Sequence, residues 1–192
     1  AEQVTLSFYA KVVGSSTDIV VELEDADNSR HVAKLFTLTT SWARYTYTFP
    51  ADTTGALDDD NASSLLVNFW LHAGSTYNSG TLATSWASKT EANRAVGADS
   101  FFSSTDNELF LTGVQLEVGS VATPFEHKSF GEELQKCKRY FQKSYSYGTA
   151  VGANTTDGRW YFVLGATNDS ANKGGSVYLG EEMRVAPTLN VY

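Results

Sequence analysis

The sequence predicts an all-β protein: an antiparallel sandwich, followed by one short α-helix and a further, incomplete β region. Three observations predict it. Apolar and polar residues alternate through most of roughly the first 120 residues, the period of a half-buried strand rather than of a helix. Turn-forming runs of Gly, Ser, Asp and Asn punctuate those stretches at regular spacing, as they do in sandwiches. Hydrophobic residues make up 42% and aromatics 13%, but charged residues only 19%. That mixture suits β-rich secreted or virion proteins better than helical enzymes.

VTLSFYAKVV places Val4, Leu6, Phe8, Ala10 and Val12 on one face, and Thr5, Ser7, Tyr9 and Lys11 on the other. GSST turns the chain. DIVVELEDA then sets Ile19, Val21 and Leu23 inward, with Val20, Glu22 and Glu24 outward. After the polar turn DADNSR, HVAKLFTL reads as a third strand. SWARYTYTF is a fourth, rich in aromatic and β-branched residues, and Pro50 stops it. ADTTGALDDDNASS is a long polar loop. LLVNFWLHA is the strongest strand signal, with Leu65, Val67, Phe69 and Leu71 toward the core and Leu66, Asn68, Trp70 and His72 on the opposite face. It leads into GSTYNSGTLATSWASKTEANRAVGADS, a stretch of little periodicity. Structureless loops longer than about 15 residues are uncommon and often functional. NELFLTGVQLEVG returns to strand. Strands of this number and spacing predict a sandwich or jelly roll over residues 1–123.

Pro124 cannot serve a central ladder, so pairing ends there. Ser129 precedes Glu132 by three residues, the spacing of a capping box. Glu132 and Glu133 open the helix; Lys136, Lys138, Arg139 and Lys143 follow, which matches the helix dipole. Phe130, Leu134, Cys137 and Phe141 follow the 4-3-4 spacing of a coiled-coil seam. A helix of about three turns is marginal alone and must pack on something. It docks on its own sandwich or self-associates, and the spacing leaves both readings open. Residues 124–144 are thus a proline turn and amphipathic helix. Residues 145–192 form a C-terminal β region, with strand signals in RWYFVLGA, GSVYLG and MRVAPTLNVY. Both ends of the chain read as strand, which predicts a segment of a longer polypeptide.

The stretch LTGVQLEVGSVATPFEHKSFGEELQKCKRYFQKS resembles a segment of tail fibre and other tail-associated proteins of bacteriophages. LLVNFWLHAGSTYNSGTLATSW resembles the same proteins, and the likeness spans roughly Val4 to Ser144. It implies a jelly roll like a carbohydrate-binding module, then a short helix and a further β region. It also implies a virion location exposed to the medium, usually a homotrimer, with other tail proteins as partners. A full jelly roll of this kind has strands ahead of Val4, so the likeness too implies truncation. It does not fix a ligand, since fold kinship alone does not fix function.

Net charge is −8 with no basic cluster, which argues against nucleic acid and against anionic lipid surfaces. No apolar run approaches the roughly 20 residues of a membrane span. The single cysteine, Cys137, forms no intrachain disulfide; on the apolar helix face it reads as a small buried hydrophobe rather than a nucleophile. His31, His72 and His127 are scattered, and no catalytic motif is present. A glycosidase needs two carboxylates at suitable separation, but nothing singles out a pair. Asp58 to Asn61 form an acidic loop of a kind that can hold calcium, yet an acidic solvated turn is the commoner outcome. Neither cofactor nor metal is expected.

Trp70, with Asn68 and His72 on the same strand face, reads as a sugar platform: the ring stacks on apolar sugar faces while the amide and imidazole bond hydroxyls. Tyr9 and Lys11 are expected to join it, and Tyr77 and Trp86 to close over it from the long loop. The bland alternative is that Trp70 packs beneath that loop as a second small core. Trp42 and Trp160 read as packing residues. The expectation is a non-enzymatic virion fibre protein that attaches to bacterial surface polysaccharide. The alternatives are a purely structural spacer or oligomerisation joint, and a polysaccharide depolymerase fragment.

Overall fold

The computed structural model describes residues 2–58, 60, 62–158 and 179–190. The chain divides into two compact units, Ala1–Glu126 and His127–Tyr192. The first is an antiparallel β-sandwich. Its strands are β1 (Val4–Val13), β2 (Thr17–Asp25), β3 (Arg30–Leu38), β4 (Ala43–Phe49), β5 (Leu65–Trp70), β6 (Ala87–Ser88) and β7 (Glu108–Val118). One sheet has the order β4-β1-β7 and the other β5-β2-β3-β6. A single helical turn, α1 (Ser75–Asn78), and two short 3₁₀ turns punctuate the long loop.

The alternation read from the sequence decides which residues meet between the sheets. Leu6, Phe8, Ala10 and Val12 of β1 are buried against Ile19, Val21 and Leu23 of β2 and Val32, Phe36 and Leu38 of β3. Phe8 is the hub. It stacks on Tyr45 at 5.4 Å and meets Phe36 and Phe69 of the facing sheet edge-on at 5.3 and 5.4 Å. Burying such a ring stabilises the fold by roughly 1.5–3 kcal/mol.

The outward faces are where alternation misleads. Glu22 and Glu24 were expected in solvent and are buried, as are Thr5 and Ser7. On one side the long loop after β5 covers the sheet. On the other, the segment after β7 does so: the Thr5 hydroxyl donates to the Gly119 carbonyl at 2.7 Å, and Arg44 donates to the Ser7 hydroxyl and to the Thr123 carbonyl. Between these contacts, the pairing of β1 with β7 shifts register between Ser7 and Tyr9. Gly113 takes φ +59° at this bulge, and a side chain there would stand 3.1 Å from the Tyr9 ring. Only glycine adopts that conformation cheaply, and it leaves the ring its place.

In the second unit, α2 runs from Phe130 to Lys138 and begins with a complete capping box between Ser129 and Glu132. It is shorter than the seam drawn from spacing, and Phe141 lies beyond its end. No residue of α2 is buried, and Cys137 is exposed rather than a buried hydrophobe. The strand expected in MRVAPTLNVY is absent from its described residues, 183–190. Pro187 both lacks a ladder donor and restrains the residue before it. RWYFVLGA with Trp160, and most of GSVYLG, lie outside the described residues.

Candidate functional site

Antiparallel register places Asn68 of β5 beside Glu22 of β2, and Glu24 beside His31 of β3. All four side chains share the outward face of the β5-β2-β3-β6 sheet, and the long loop brings Arg94 and Lys89 down onto them. Arg94 Nε and Nη2 each donate to Glu22 at 2.9 Å, and Nη2 also reaches Glu24. Lys89 Nζ donates to Glu24 at 2.7 Å. Trp70 Nε1 donates to Glu22 Oε2 at 2.9 Å and the Asn68 amide donates at 3.1 Å. His31 Nδ1 lies 2.8 Å from Glu22 Oε1.

The Glu22 side chain is fully buried. Burial alone would raise its carboxyl, but hydrogen bonds from His31, Arg94 and Trp70 and the Arg94 charge hold it down at about 2. An ionised carboxylate only accepts, so His31 must carry its proton on Nδ1. Its Nε2 is then left buried without a hydrogen-bond partner. Burial likewise works against the Arg94 cation, and the bonds and charges of Glu22 and Glu24 raise it overall. The two inner acids, Glu22 and Glu24, thus meet two cations, and the more exposed Glu91 adds a third carboxylate that accepts from Arg94 Nη1 at 3.3 Å. Chemically it is a clamp for the loop. Among the described residues no group of His, Cys, Asp and Glu is placed to hold a metal ion.

This geometry separates the residues that the sequence grouped. Trp70 is half-buried, with the Arg94 guanidinium 5.1 Å above its ring and Tyr77 5.2 Å away. Trp70, Asn68 and Tyr77 do come together, as a small polar core beneath the loop. His72 is exposed beside Phe102 at 6.4 Å, just past β5. Trp86 goes elsewhere: its Nε1 donates to the Pro50 carbonyl at 2.7 Å, and its ring packs at the margin of the main core. Tyr9 lies on the other side of the sandwich, because β1 belongs to the other sheet and its outward face points the opposite way.

That opposite face gathers Tyr9 and Lys11, which the sequence placed with Trp70, beside Trp42 and Phe110 instead. β1–β7 register sets Lys11 beside Phe110, and Trp42, immediately before β4, extends the row. The Lys11 ammonium sits 4.7 Å from the Phe110 ring centroid and 5.7 Å from that of Trp42. One row inward, Tyr9 pairs with Arg44 and Thr112, and the Arg44 guanidinium is 5.9 Å from the Tyr9 ring. Trp42 is 51% exposed, Phe110 40% and Tyr9 37%. Trp42 is therefore a surface residue, not the packing residue expected. A signal was available: Tyr9 and Lys11 alternate on the polar face of one strand, and Phe110 on the polar face of another.

The helix seam is also on the surface. Phe130 is 82% exposed, Phe141 is exposed, and Leu134 is half-buried. In the acidic loop, Asp58 and Asp60 accept backbone N–H groups at 3.1 Å from Asp60 and 2.5 Å from Ala62; Asp59 and Asn61 lie outside the described residues. No helix among the described residues is long and apolar enough to cross a membrane. No protein-family model, curated protein or solved structure matches this chain.

Proposed function

We propose that this chain is a non-enzymatic fibre module of a phage virion that attaches to glycans on the bacterial surface. The supporting observation is the exposed aromatic row of Trp42, Phe110 and Tyr9, interleaved with Lys11 and Arg44. Exposed rings accept the apolar faces of sugars, and cations and hydroxyls beside them bond sugar oxygens. The rings stand on or beside paired strands, so little ordering cost is incurred on binding. Each contact is weak, and several copies in one fibre would supply avidity. The likeness of the helix-forming stretch to tail fibre proteins supplies the virion setting.

The test is binding of the full chain, displayed multivalently, to a panel of bacterial surface polysaccharides. Binding is expected to be lost in Trp42→Ala with its melting temperature unchanged. Binding that survives Trp42→Ala combined with Phe110→Ala, or no binding at all, overturns the proposal.

The second reading, an oligomerisation joint, is favoured by the exposed Phe130 and Phe141 of the seam, with Leu134 half-buried between them. Sedimentation of the wild type against Phe130→Ser with Phe141→Ser tests it. An unchanged mass would set it aside.

A further inference from the structure

We infer that the aromatic row selects anionic saccharides, those bearing a carboxylate. The inference rests on the glycan-binding reading above and specifies its ligand.

Lys11 is the centre of the row. Its ammonium is held between two rings by cation–π contact, and among the described residues it has no ion pair and no hydrogen bond. A cation fixed over aromatic rings keeps N–H donors free for an incoming oxygen. Arg44, one row away, is already engaged: it donates to Ser7 and Thr123, and its charge acts on Glu117. The acids nearest in the sheet are Glu108 and Glu117. Glu108 pairs with Val13, at the next outward position. Glu117 accepts from the Thr123 amide at 3.1 Å, toward the other end of β7.

The chain as a whole carries −8, so a polyanion is repelled at long range. At physiological ionic strength that repulsion decays over about 8 Å, and the Lys11 ammonium, which has no ion pair among the described residues, decides the contact. Geometry favours a sugar acid over a free anion. A carboxylate on a pyranose lies at the ring edge. With the sugar stacked on Trp42 or Phe110, that edge reaches the ammonium between them. Neither group alone would suffice: an exposed ion pair contributes little by itself, and the rings do not distinguish charge.

The test compares acidic capsular polysaccharide fragments with their carboxyl-reduced counterparts, by titration of the full chain. The acid forms are expected to bind about three- to fivefold tighter, the upper range for an ion pair at an exposed site. Lys11→Met, which keeps the stem over the rings, should erase that preference, and Lys11→Arg should retain it. Equal binding of acid and reduced forms through Trp42 would overturn the anionic preference while leaving glycan attachment standing. Preference that persists in Lys11→Met would do the same. Polyglutamate binding as tightly as the acidic glycans would show a reader of charge alone. Failure of every saccharide to bind would overturn both readings.

Discussion

Replacing Arg94 with Met removes the cation from the buried network and keeps most of the side-chain volume. In the wild type, Glu22 titrates at about 2 against an ordinary value of 4.5. A depressed carboxylate contributes stability that is fully present above 4.5 and is lost as pH falls through 2. At about 1.4 kcal/mol per unit, the drop corresponds to about 3 kcal/mol. Arg94→Met removes both guanidinium bonds to Glu22 and the contact with Glu24. Breaking a buried pair by deleting one partner costs about 3–5 kcal/mol. The variant's pH dependence should weaken at this site. Without Arg94, burial still pushes the Glu22 carboxyl up, and only the bonds from His31 and Trp70 hold it down. The variant's deficit should then be greatest near pH 7 and shrink as pH falls through 4.5, because the buried acid can become neutral. Urea unfolding at several pH values, followed by tryptophan fluorescence, measures this, and urea leaves the ion pairs unscreened. A cost below about 1 kcal/mol at pH 7 with an unchanged pH slope would refute the clamp.

Trp70→Phe keeps an aromatic ring, though a smaller one, but removes the bond to Glu22, and should cost about 1.5–3 kcal/mol in the same unfolding assay. Glycan binding through the opposite face should be unaffected by it. Gly113→Ala forces a side chain into φ +59° and against the Tyr9 ring, and should cost about 1–2 kcal/mol; a stability equal to wild type would argue against the bulge. The Cys137 thiol should react completely with a thiol reagent in the native protein, since it is exposed. Protection until unfolding would mean that α2 is covered, and would favour the joint.

The strand content of the first unit was legible because alternation is local. Each strand's own residues declare its buried face, and Phe8, Val21 and Phe69 could be assigned inward without knowing their neighbours. The capping box at Ser129 was legible for the same reason: both partners lie within one turn. The outward faces were not. Whether Glu22 meets solvent or Arg94 depends on where a loop some seventy residues later comes down. Sequence records no period for that loop. Tyr9 and Trp70 looked alike on their strands, and only the pairing of β1 with β4 and β7, and of β2 with β3 and β5, sends them to opposite sides. The same pairing assembles Trp42, Lys11 and Phe110 from three separate stretches. Alternation along the chain determined what each strand buries; tertiary pairing alone decided which outward faces coincide, because register across strands is set by contacts that no single strand contains.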